Sequence, residues 1–118
     1  MVVHVVLFKP RADLSAQDRA AFVASLERAI RDIPTVRGVR LGRRHKVGAG
    51  YEQAAPDAAA FLVEVEFDDL AGLRTYLQHP AHEELGRRFN ESMAAGFVYD
   101  FEITELSDLS REEEGQTS

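Results

Sequence analysis

Residues 1–8, MVVHVVLF, are apolar at odd and even positions alike, apart from His4. A strand with two apolar faces belongs at the centre of a sheet that is covered on both sides. From Ser15 onward the period changes to that of a helix, with Phe22, Leu26, Ala29, Ile30 and Ile33 recurring three or four residues apart. Ser15 with Asp18 three residues on resembles a capping-box start, and Pro34 forbids continuation, so the spacing predicts an amphipathic helix over about 15–32. Its other face carries Arg19, Glu27, Arg28 and Arg31, a solvated surface. Residues 36–47 set Val36, Val39, Leu41 and Val47 among Arg37, Arg40, Arg43, Arg44, His45 and Lys46, which reads as a charged edge strand. The segment 48–58, with two glycines, a proline and several alanines, is a loop or flap. No helix opens directly after Gly48-Ala49-Gly50, so it is no phosphate cradle.

Phe61, Val63, Val65 and Phe67 then alternate with Leu62, Glu64 and Glu66, a strand. Asp68 or Asp69 can cap a helix carrying Leu70, Leu73, Tyr76 and Leu77, and after Pro80 a second helical stretch shows Leu85, Phe89 and Met93. A last alternation, Phe97, Tyr99, Phe101 and Ile103, makes the final strand. The order β-α-β-β-α-β, with its second helix broken, is the ferredoxin-like α+β plan: a four-stranded antiparallel sheet with the helices on one face and the first and third strands central. We expect one domain over residues 1–104 and an acidic, disordered tail over 105–118.

Phe61, Val63, Val65 and Phe67 are expected to face the helices, together with Phe97, Tyr99, Phe101 and Ile103. The first strand is apolar on its far side as well, so something other than the helices must cover it. A homodimer with sheets packed face to face is the expectation. It places Glu64, Glu66, Asp100 and Glu102 on the interface side, where they must pair with arginines such as Arg40, reach the rim or face water.

Charge and composition narrow the partners. Of the net charge of −6, residues 104–118 supply −4, five carboxylates against Arg111, leaving −2 for the folded body. That balance argues against a nucleic-acid binder. No apolar run approaches the roughly 18 residues of a membrane span and no signal segment is visible, so a cytoplasmic location is expected. The absence of cysteine removes disulfides, thiolate nucleophiles and cysteine-ligated metals together.

The chemistry then rests on few side chains. His79-Pro80 suits a helix boundary, with Pro80 at the first position and His79 outside it. His82 shares the inward face of Leu85 and Phe89, and two readings stand. It is either a core histidine satisfied by its neighbours or a neutral imidazole in a first helical turn, able to accept a proton near pH 7. His4 interrupts an apolar strand and requires an internal hydrogen-bond partner. With Tyr76 these histidines would make a small polar cluster in an apolar cavity, the usual chemistry of a small-molecule site. His79 and His82 are three apart with Glu83 and Glu84 following, but Pro80 takes His79 off the helix face and the spacing matches no standard zinc pattern. No metal and no cofactor is expected.

The same residues carry a family resemblance. His4-Val-Val-Leu-Phe-Lys9, Ile33-Pro34 with Val36, and Phe67-Asp68-Asp69-Leu70 leading into Tyr76-Leu-Gln-His-Pro-Ala-His82 resemble the stress-responsive A/B barrel (Dabb) proteins, over about residues 2–103. The resemblance implies a dimeric α+β barrel. Many members are known only as stress-induced proteins, while some plant members are cofactor-independent polyketide cyclases that close a ring by aldol chemistry. In those, a histidine matching His82 is the base, a tyrosine matching Tyr76 holds the substrate carbonyl, and a strand histidine matching His4 lies nearby. A further tyrosine of the cyclase pocket, drawn from the first helix, is replaced here near Ser25. Three functions follow as expectations: cofactor-free acid–base catalysis with His82, Tyr76 and His4 on a small apolar carbonyl or aromatic ligand, a non-catalytic stress or ligand-binding dimer, or a cofactor-free monooxygenase as in related dimeric barrels.

Overall fold

The computed structural model describes residues 1–111. Its centre is strand β1 (Val2–Pro10), which pairs antiparallel with β3 (Phe61–Phe67) on one side and β4 (Met93–Glu102) on the other. β2 (Gly38–Arg43) completes the sheet beside β3, in the order β2-β3-β1-β4. The two most apolar strands are therefore the inner ones, and the arginine-rich strand is an edge, as the pattern predicts. Beyond Arg43 the chain enters a loop in which Glu52 accepts from the backbone N–H groups of Val47 and Gly48, the latter at a φ of 81° that favours glycine. A short 3-10 helix, Gly50–Gln53, stands within this loop.

Helix α1 (Ala16–Asp32) begins where the Ser15 hydroxyl accepts the Asp18 N–H at 3.0 Å and stops before Pro34. Helix α2 (Leu70–Gln78) is capped by the Asp69 carboxylate, which accepts from Gly72 N–H at 2.9 Å. Helix α3 (Pro80–Ser92) follows after a single residue, His79, held extended at φ −73° and ψ 141°. Phe22 and Ala29 from α1, Ile33 at its C-cap, Leu73 and Tyr76 from α2, and Ala81 and Leu85 from α3 pack on Val2, Phe8, Val63, Val65 and Phe67. Burying each large apolar side chain of this set contributes roughly 1.5–3 kcal/mol. Gly96 of β4 has a specific part, because a Cβ there would collide with the Phe89 ring. The bare backbone lets that ring lie against the strand.

Register corrects the expected assignment of faces. Directly opposed residues of an antiparallel pair share a face, and His4 stands opposite Val65 and Asp100 while Val6 stands opposite Val63 and Val98. Asp100 and Glu102 therefore lie on the helix side. Phe97, Tyr99, Phe101 and Ile103 take the opposite parity, and each is about half exposed. The hydrophobic alternation of β4 marks the sheet's far side, which inverts the orientation read from apolar parity alone. Glu64 and Glu66 do lie on that far side, where Arg40 bonds Glu64 at 2.9 Å and approaches Glu66 at 3.4 Å.

Of the segment expected to form an acidic tail, Leu106–Ser110 is a short 3-10 helix closed by a capping box between Glu105 and Asp108. The remainder, 112–118, lies outside the described residues.

Candidate functional site

The break between α2 and α3 creates the site. Tyr76 and His82 are six residues apart, which in one unbroken helix would leave them roughly 120° apart around the axis and about 9 Å apart along it. Pro80 cannot continue α2, since its ring removes the N–H and excludes helical geometry from His79. The His79 imidazole instead caps α3, its Nδ1 accepting the Ala81 N–H at 3.0 Å, and the His82 N–H bonds the His79 carbonyl at 2.9 Å. The chain turns, and the Tyr76 and His82 rings come to 4.7 Å between centroids. His79 is thus a boundary residue, as its place before proline predicts. Among the described residues no three His, Asp or Glu side chains are placed to hold a metal ion.

His4 of β1 joins the pair from beneath, its ring centroid 5.6 Å from Tyr76 and 6.4 Å from His82. The three residues expected to cluster are together. His4 is buried, and its Nδ1 lies 2.6 Å from Asp100 Oδ1. A carboxylate only accepts, so Nδ1 carries the proton and Nε2 is the nitrogen left for a ligand. Asp100 is the residue the sequence reading missed: it was placed on the far face with Glu102. The usable signal was His4 itself, since a buried imidazole in a central strand requires a partner, and an acidic residue of matching parity on the neighbouring strand supplies one.

These groups together line a cavity of about 220 Å³. Its other walls are Val6, Phe8, Phe22, Leu26, Val63, Leu85 and Phe89, with no Lys, Arg, Asp or Glu among its lining residues. Exposed Leu77, Asn90 and Val98 also line it and mark where it meets solvent. Ser25 is buried elsewhere, its hydroxyl donating to the Phe22 carbonyl at 2.7 Å, and α1 meets the cavity through Phe22 and Leu26.

The electrostatics follow from burial. Tyr76 is 2% exposed, and desolvation pushes its phenol up to about 12, so it is protonated and a donor at neutral pH. Burial is also the main cause holding His82 below its ordinary value. Nearby His4 adds to that depression, against an opposing pull from a backbone hydrogen bond at Leu77 and from Glu83. No sealed side-chain nitrogen or oxygen lacks a partner among the described residues. The Tyr76 hydroxyl has no protein partner among them, so its tip is open to the cavity.

The sequence matches a known family. Residues 2–103 fit the description "Stress responsive A/B Barrel Domain", Dabb. The chain belongs to that family. Among solved structures, this A/B barrel domain is similar to a protein of Arabidopsis thaliana at 19% identity and a TM-score of 0.74, covering 90% of this chain and 98% of that one. The hydroxynitrile lyase of Passiflora edulis is similar at 17% identity and a TM-score of 0.73, covering 88% and 94%. A dimeric ferredoxin-like protein of Jannaschia sp. CCS1 is similar at 20% identity and a TM-score of 0.70, covering 86% and 98%. At these identities the likeness shows a shared fold. No curated protein matches the sequence.

Proposed function

We propose that this A/B barrel domain binds a small, neutral, mostly apolar carbonyl compound and performs cofactor-independent acid–base chemistry on it. One observation carries the reading: His4, Tyr76 and His82 converge in the lining of a cavity that is otherwise apolar but for exposed Asn90. A volume of about 220 Å³ lies below the roughly 300–1,000 Å³ of pockets for drug-sized ligands. The uncharged lining favours a ligand without phosphate or carboxylate.

His82, neutral near pH 7, removes a proton from the carbon α to the carbonyl. The Tyr76 hydroxyl donates to the oxygen on which enolate charge develops, and His4, held in one tautomer by Asp100, orients the group between them. In an aldol-type closure the enolate carbon then bonds a second carbonyl carbon, and the proton on His82 passes to the new alkoxide. A hydroxynitrile lyase on the same fold supports lyase or aldol-type chemistry as within reach of this scaffold. The domain works as a homodimer, its partner covering the half-exposed Phe97, Tyr99 and Phe101 together with Val5 and Leu7. The dimeric neighbour of the same fold supports this assembly.

The test is exchange of α-protons of 2-heptanone for deuterium, followed by NMR. The full chain should accelerate exchange, His82→Gln should lose about 10²–10⁴-fold, and Tyr76→Phe about 10²–10³-fold. Exchange by the full chain no faster than by buffer, or undiminished in His82→Gln, would overturn the proposal.

A further inference from the structure

Gly86 occupies the middle of α3, seven residues into a thirteen-residue helix. Glycine in a helix interior is destabilising by roughly 0.5–1 kcal/mol relative to alanine, so its presence requires a reason. Three structural reasons fail. Its φ is not positive, since Gly48 alone among the described glycines has that conformation. A Cβ built on Gly86 would meet no atom within 4 Å, so neither α1 nor the sheet approaches closely enough to demand a bare backbone. Nor does it end the helix, which continues to Ser92.

What remains is the space it leaves. Gly86 lines the cavity, one helical turn after His82 and one before Asn90. His82 belongs to the polar cluster and Asn90 is exposed, so Gly86 lies on the stretch of helix face between them. With no atom within 4 Å of such a Cβ, a side chain here would take up space beside His82 that the cavity now holds.

We propose that Gly86 is a specificity-determining residue: its missing side chain admits the apolar body of the ligand alongside His82, at the expense of helix stability. Gly96 makes an instructive contrast, because there a Cβ would collide with the Phe89 ring and glycine answers a packing need. This inference rests on the cavity being the ligand site, and the experiment separates the two.

Full-length protein and the variants Gly86→Ala and Gly86→Leu are compared by thermal unfolding and by NMR titration with benzene and with 2-heptanone. Gly86→Ala should raise the Tm of the free protein by about 2–6 °C. It should also bind 2-heptanone more weakly, and Gly86→Leu should weaken binding of both probes at least roughly tenfold. An unchanged or lowered Tm in Gly86→Ala would reveal a packing role and overturn the proposal, as would undiminished binding in either variant. If the unsubstituted protein takes up benzene but not the ketone, and Gly86→Leu excludes benzene, Gly86 stands and the carbonyl reading fails. If the unsubstituted protein takes up neither probe, both fail together. Should Gly86→Leu not fold, the paired Tm and affinity of Gly86→Ala decide the matter.

Discussion

Asp100→Ala removes the one hydrogen-bond partner that a buried imidazole has among the described residues. The His4 side chain is 6% exposed and its Nδ1 stands 2.6 Å from Asp100 Oδ1, whereas the Asp100 side chain is 40% exposed. Stranding a buried donor costs about 1–3 kcal/mol. Because solvent reaches the carboxylate and weakens what it contributes, we expect the lower part of that range, about 1–2 kcal/mol. For a domain of this size that corresponds to a Tm loss of roughly 3–10 °C. Asp100→Asn keeps the shape and an oxygen acceptor but loses the charge, so its loss should be about half as large. Urea unfolding gives the energies, and ¹⁵N NMR of the histidine ring reads the proton position directly. His4 should carry its proton on Nδ1 in the unsubstituted protein and redistribute it in Asp100→Ala. Equal stability of the two proteins, or a His4 proton on Nε2 while Asp100 is present, would refute the reasoning.

Three further outcomes follow from other parts of the structure. Because burial lowers the His82 pKa below the 6.5 of an exposed imidazole, the unfolded chain binds its proton first as pH falls. The contribution of His82 to stability is thus full above about pH 6.5 and is lost as pH falls from there through the lowered folded value. Urea midpoints of His82→Gln should vary less across this window than those of the unsubstituted protein. Gly96→Ala places a methyl against the Phe89 ring and should cost about 1–3 kcal/mol by denaturant unfolding. Phe101→Glu on the far face of the sheet should halve the mass measured by light scattering while leaving the circular dichroism of the fold intact.

Much of the fold was legible because its determinants are local. The two-faced strand, Ser15 and the Asp68-Asp69 pair as caps, Pro34 and Pro80 as stops, and the arginines of the edge strand each act within a few residues of themselves. His4, Tyr76 and His82 were legible for a related reason: each breaks a hydrophobic pattern or sits at a helix break, and the topology brings those places together. The faces of the last strand were not legible in the same way. Its alternation shows that Phe97, Tyr99 and Phe101 share a side, but the choice of side depends on register with β1, a long-range property. In a sheet apolar on both faces, parity alone does not decide it, and Asp100 was misplaced with the rest. The cavity was likewise invisible as a volume, since it depends on what Gly86 lacks and on how three helices meet the sheet.

The most direct test of the site is the crystal structure of the protein with 2-heptanone bound. The ketone oxygen should lie within hydrogen-bond distance of the Tyr76 hydroxyl, with an α-carbon facing the His82 ring and the alkyl chain running past Gly86 among Phe8, Phe22 and Phe89. A ketone lying with its alkyl chain against His4, Tyr76 and His82, or seated outside the cavity altogether, would contradict the assignment of these residues as the reactive end.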